Sequence, residues 1–150
     1  MKRLLLISSS AVLFAVVGAF AHSGATGIVK ERMHAMKKIA AATKAIATTD
    51  WQDVAIARSI VRANATVLNK HASEIVGLFP NNSIQGPSEA IPAIWERPEE
   101  FRQLAKILEA SSGKLIELSS TASAKDDIAP LFADISGTCK ACHQVFRLKK

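Results

Sequence analysis

The sequence predicts an all-α protein, most simply an antiparallel up-down-up-down four-helix bundle. Three observations predict it. Beyond its first residues the chain is rich in Ala, Leu, Ile, Lys and Glu and poor in Gly and aromatics; it never sustains the strict alternation of a half-buried strand; and four segments repeat apolar residues at threes and fours. Four amphipathic helices joined by two short turns and one longer loop pack with least difficulty as such a bundle. The 150 residues suffice for one domain with a real core and not for two.

Met1-Lys2-Arg3 precedes an apolar run from Leu4 to Phe20, which closes on Ala19-Phe20-Ala21. A basic start, an apolar stretch and a small-residue site are the parts of a secretory signal. Residues 1–21 are therefore expected to be cleaved, leaving a periplasmic domain of residues 22–150. The competing reading is an uncleaved anchor. It suits the run less well, because the stretch is near the lower limit for spanning a bilayer and contains Ser8-Ser9-Ser10. No later stretch is long and apolar enough to span, so no membrane attachment is expected after cleavage.

The first helix is predicted from about Thr26, its candidate N-cap, to Ala47, with Val29, Met33, Met36, Ala40 and Ala47 on one side. Thr49-Asp50-Trp51-Gln52 has the form of a capping box and starts the second, whose apolar stripe runs through Ile56, Ile60, Ala63, Val67 and Ile75 to Gly77 and Pro80. Pro80 to Arg97 holds Pro87, Pro92, Gly86 and Asn81-Asn82-Ser83 and reads as a crossing loop. Pro98 opens the third helix, Glu99 and Glu100 suit its positive end, and Phe101, Leu104, Ile107, Leu108, Leu115 and Leu118 form its stripe. Ser111-Ser112-Gly113 is a candidate kink. Asp126 and Asp127 are candidate caps of the fourth, with Pro130 in its first turn and Leu131, Phe132, Ile135, Cys139, His143 and Phe146 following.

The formal net charge is +6, and it falls to +4 once Lys2 and Arg3 leave with the signal. Basic residues are spread along the chain with no run of five, and there are two Trp and no Tyr to stack on bases. Nucleic acid is not an expected partner, and the charges read as a solvated surface. No carboxylate pair, nucleophile with its base, or phosphate-binding Gly loop points to an enzyme, so no catalytic residue is assigned.

Export would ordinarily turn two cysteines into one disulfide. Their spacing argues otherwise: Cys139-Lys140-Ala141-Cys142-His143 is C-x-x-C-H, in which two thiols add across the haem vinyl groups and the adjacent imidazole takes the iron. On a helix, Cys139 and His143 lie ~40° apart and Cys142 ~100° to one side of His143, so all three can face one porphyrin. A thioredoxin-like pair needs a strand-to-helix junction, a structural zinc needs four ligands, and a plain disulfide leaves His143 unexplained. One covalent haem c on Cys139 and Cys142, with His143 as proximal ligand, is the expected cofactor.

Gly137-Thr138-Cys139-Lys140-Ala141-Cys142-His143-Gln144-Val145-Phe146-Arg147 resembles the C-terminal signature of the class II cytochromes c, the cytochrome c′ family. Arg32-x-x-x-Met36, Leu78-Phe79-Pro80 and Ala93-Ile94-Trp95 resemble its distal-face pattern, the end of its second helix and the loop before its third. The resemblance implies a bundle carrying haem on its last helix. It also implies that Met36 occupies the distal position, as in the low-spin, methionine-ligated c-556-like branch. His/Met ligation would suit a periplasmic carrier that passes single electrons between redox proteins. The alternative is a five-coordinate protein that binds nitric oxide or carbon monoxide, with Met36 a flexible core filler. A haem-free bundle that binds a partner protein is the third reading. The resemblance also leaves a homodimer through the first two helices open.

Around the helix Arg32 lies ~40° to one side of Met36 and Met33 ~60° to the other, whereas His34 is ~160° away and should face solvent. Met33 is the reserve ligand. Arg32 pairs with a propionate, shields the distal face, or is an exposed charge. Arg147 is a candidate for a propionate or the last carbonyls of its helix, and Phe132 and Phe146 for packing on haem. His71 reads as a surface or satisfied bundle histidine, and Trp51 and Trp95 as anchors. Lys140, Lys149 and Lys150 are placed to steer acidic partners.

Overall fold

The computed structural model describes residues 24–149. The signal reading falls on residues 1–21, outside them. Five helices follow in order: α1 Gly27–Ala47, α2 Val54–Glu74, α3 Ala93–Glu96, α4 Pro98–Leu118 and α5 Lys125–Phe146, with a 3₁₀ turn at Val76–Leu78. The four long ones make the predicted bundle. Among the described residues the sole β contact is one antiparallel bridge, Ala90 with Arg147.

Each long helix exists because it has a face to bury. Ile46, Val61, Leu68, Leu115 and Ile135 are completely enclosed at the centre. Helix α2 lies between α1 and α4 and meets them largely with Ala57, Ala65 and Ala72, whose small side chains allow close approach. The stripe predicted for α2 is therefore corrected. Ile56, Ile60, Ala63 and Val67 stand exposed, and the buried row, Ala57, Val61, Ala65, Leu68 and Ala72, runs beside it. Both rows satisfy helical spacing, and the packing selected the smaller residues.

Two helix starts differ from those predicted. Asp50 accepts from the Gln52 N–H (3.0 Å) within the turn, and Asp53 is the cap of α2, its carboxylate accepting from the Ile56 N–H at 3.0 Å. Helix α5 begins at Lys125, with Asp127 in its first turn reaching back to accept from the Ser123 and Ala124 N–H groups at 2.6 and 3.0 Å. Pro130 thus falls in the second turn. Helix α4 runs unbroken through Ser111-Ser112-Gly113. There the buried Ser112 hydroxyl donates to the Leu108 carbonyl at 2.7 Å, and Asn69 of α2 donates to the Glu109 carbonyl at 2.7 Å, joining the two helices. The crossing loop adds α3, a turn of helix that the prolines around it concealed.

Helix α1 packs on α2, α2 on α4 and α4 on α5, but α1 and α5 do not pack on each other. The bundle is open along that seam.

Candidate functional site

A cavity of about 770 Å³ occupies the seam, within the size range of cofactor sites. Its α1 wall includes Val29, Arg32, Met33, Met36 and Ala40; its α5 wall includes Phe132, Ser136, Cys139, Cys142, His143 and Phe146; α4 supplies Phe101, Leu104 and Leu108 as a floor. All nine residues predicted for the site line this one cavity: Arg32, Met33, Met36, Phe132, Cys139, Cys142, His143, Phe146 and Arg147. The lining is mostly apolar.

Burial pushes the Cys139 thiol up, and burial with the nearby Cys139 pushes Cys142 up to about 11, so both stay protonated at neutral pH. A disulfide oxidoreductase needs the opposite shift. His143 reaches the surface at the cavity wall. Desolvation there, with Arg147 close by, holds its imidazole below the ordinary value, while Glu89 acts in the other direction. The ring is therefore neutral at pH 7 and keeps a lone pair for a metal. Among the described residues no three His, Cys, Asp or Glu side chains gather as a metal-binding group of their own. An apolar cavity with two protonated thiols and a neutral imidazole on one wall fits a large flat apolar cofactor that brings its own metal.

A family model described as Cytochrome C′ matches residues 27–147, almost the whole described chain. The chain belongs to the cytochrome c′ family. Cytochromes of this family carry one covalent haem c, which is the cofactor that the cavity accommodates. The chain is 32% identical over 124 residues to a cytochrome c-556 of Agrobacterium tumefaciens, covering 83% of this chain and 99% of that one. It superposes on cytochrome c′ from Rhodopseudomonas palustris with a TM-score of 0.70 at 25% identity, covering 84% and 99% of the two chains. A nitric oxide complex of an Alcaligenes xylosoxidans cytochrome c prime variant matches with a TM-score of 0.67 at 25% identity over 81% and 94%.

Arg32 departs from two of its three predicted settings, the exposed charge and the propionate partner. It is only 5% exposed, so it is no surface charge, and the protein itself takes all five of its N–H donors. Nε and one terminal nitrogen donate to the Leu78 carbonyl at 3.1 and 2.9 Å; the others reach the Ser83 carbonyl and hydroxyl at 3.0 and 2.6 Å and the Ser88 hydroxyl at 3.0 Å. The guanidinium also lies 4.0 Å from the centroid of Phe79. Phe79 meets Phe101 edge to face at 5.0 Å, and Phe101 meets Phe146 at 5.3 Å, so aromatic contact runs from the clamp to α5. In this cytochrome Arg32 fastens the crossing loop to α1 and leaves no donor for a propionate.

Arg147 is likewise engaged, with Nε donating to Glu89 at 2.7 Å rather than to the carbonyls ending α5. Beside that ion pair the backbone of the loop is stitched to the end of α5, by Ile91 N–H to the Phe146 carbonyl (3.3 Å) and Leu148 N–H to the Glu89 carbonyl (2.8 Å). The loop thus straps the two walls together. His34 is exposed, as predicted; His71 pairs with Glu74 at 3.0 Å; Trp95 donates to the Phe79 carbonyl at 3.1 Å, whereas the buried Trp51 Nε1 has no partner among the described residues. Sequence reasoning missed Glu89, Ser83 and Ser88, which carry no pattern of their own, and the cavity-lining Lys37 and Lys44.

Proposed function

We propose that this cytochrome carries single electrons in the periplasm, with haem bonded through Cys139 and Cys142, His143 as proximal ligand and Met36 as distal ligand. The observation that carries the reading is the open seam. The C-x-x-C-H motif of α5 and the two methionines of α1 line opposite walls of one apolar cavity. The neutral His143 imidazole presents its lone pair from one side, and a thioether is offered from the other. Phe132, Phe146 and the α4 floor exclude water, and the Arg32 and Arg147 contacts hold the walls at a constant separation. A haem so ligated supplies a one-electron Fe(III)/Fe(II) couple at a raised potential. Redox proteins are the partners proposed, and the exposed Ile56, Ile60 and Val67 row of α2 is the surface proposed for a homodimer.

The visible spectrum of the ferrous protein, with and without carbon monoxide, tests the distal assignment. A low-spin spectrum that carbon monoxide leaves unchanged is expected, with Met36→Leu converting it to a high-spin form that binds the gas. If the parent already binds carbon monoxide readily and Met36→Leu changes nothing, Met36 is not a ligand. The second reading, capture of nitric oxide or carbon monoxide, then applies; the nitric oxide complex of the Alcaligenes relative is what favours it.

A further inference from the structure

Charge that looks dispersed along the sequence is sorted in space. Helix α1 carries five basic side chains and one acidic, and the last four residues carry three basic and none acidic. The rest of residues 22–150 holds nine basic and twelve acidic, so outside those two segments the domain is net negative. Helix α1 forms one wall of the cavity, and Arg147, the first residue of the second segment, lines it as well. On α1, Lys30, Lys37 and Lys44 recur at intervals of seven, which places them within ~40° of one line and ~10.5 Å apart along the helix. That line is the edge of α1 turned away from α2: the core row Ala35, Ile39, Ala42 and Ile46 is on the opposite side of the cavity-lining stripe. All three lysines are exposed, and Lys37 and Lys44 also line the cavity. On α5, Lys140 is exposed, and the cavity-lining Arg147 leads into Leu148, 57% exposed, and Lys149. The acidic residue lining the cavity, Glu89, is already paired with Arg147.

Exposed basic side chains on both walls of a cavity, with an exposed apolar residue between Arg147 and Lys149, have the composition of a transient, electrostatically steered docking patch. We propose that the lysine edge of α1, with the Arg147–Lys149 tail, docks the acidic face of a redox protein over the cavity mouth. The proposal rests on the electron-carrier reading and names the partner chemistry for it. Lys37 and Lys44 are the lysines of that edge that line the cavity, and Lys30 extends the patch beyond it.

The test uses the haem-loaded protein in its ferric state and two one-electron reductants. One is an acidic flavodoxin in its hydroquinone form, which becomes the semiquinone; the other is hexaammineruthenium(II), a small dication that becomes the trication. The variants are Lys37→Glu/Lys44→Glu, Lys30→Glu and, as a charge-matched control on another face, Lys106→Glu/Lys114→Glu. At about 10 mM ionic strength the first is expected to slow reduction by flavodoxin about ten-fold or more and to speed reduction by the ruthenium complex, with both effects fading at high salt. Lys30→Glu should act in the same direction with an unchanged visible spectrum, and the control should shift either rate by less than about two-fold. Amide shifts on adding flavodoxin should map to α1 and residues 147–149. The proposal is overturned if the two double variants behave alike, since net charge alone would then govern the rates. It is also overturned if Lys37→Glu/Lys44→Glu slows both reductants or alters the spectrum, because those lysines would then be holding the haem. A colourless parent that neither reagent reduces would instead defeat the electron-carrier reading beneath it.

Discussion

Replacing Arg32 by Ala should unfasten the crossing loop, and the cost can be worked from its contacts. The side chain makes five hydrogen bonds to four acceptors and covers Phe79. Summing five charged bonds at their individual worth would overstate the loss, because the Ser83 and Ser88 hydroxyls can rotate toward other partners. The Leu78 and Ser83 carbonyls cannot. Leaving two such acceptors unpaired costs about 1–3 kcal/mol each, and the lost cation–π contact adds about 1 kcal/mol. The expected destabilisation is about 4 kcal/mol, or a fall in melting temperature on the order of 15 °C for a domain of this size. Guanidinium and thermal unfolding of the holoprotein, followed by circular dichroism, measure it. Arg32→Lys restores the charge but not the planar five-donor fork, so it should recover about half of the loss. A loss below about 1 kcal/mol for Arg32→Ala, or full recovery by lysine, would refute the reasoning.

Other outcomes follow from other contacts. Hydrogen bonds from Ser123 and Ala124 hold the Asp127 carboxyl below the usual aspartate value, so it stabilises the fold above its unfolded pKa and stops doing so as pH falls through the folded one. The stability difference between the parent and Asp127→Ala should accordingly shrink between about pH 5 and pH 2 in denaturant titrations. Glu89→Gln removes a partly exposed ion pair with Arg147 and should cost about 0.5–1 kcal/mol in the same measurement, with a smaller effect in high salt. Ile56→Lys/Ile60→Lys should leave the melting temperature nearly unchanged while turning a dimer into a monomer by light scattering. A dimer that survives both charges would move the interface elsewhere.

The parts of the site legible in the sequence were the contiguous or periodic ones. Cys139, Cys142 and His143 stand together, and helical spacing alone places them on one face with Phe132 and Phe146. Met33 and Met36 could be assigned to the facing wall only through resemblance, since a methionine on an apolar stripe looks like any other core residue. The role of Arg32 was hidden because its partners are 46 to 56 residues away in a loop without periodicity. In α2 two apolar rows of equal regularity competed. The larger Ile56, Ile60 and Val67 suggested the core, but close packing against α1 and α4 needed the alanines. Lys37 and Lys44 of α1 are far from Arg147 in the chain, and it is the cavity in the open seam that all three line.

The attachment chemistry can be read directly from a tryptic digest of the native protein. Trypsin cuts after Lys125, Lys140 and Arg147, so the cut at Lys140 separates the two cysteines onto peptides 126–140 and 141–147. If one haem is bonded to Cys139 and Cys142, both peptides should appear as a single coloured species whose mass is their sum plus one haem. Two separate peptides of unmodified mass, or a colourless pair lighter by two hydrogens and joined through a disulfide, would contradict the account.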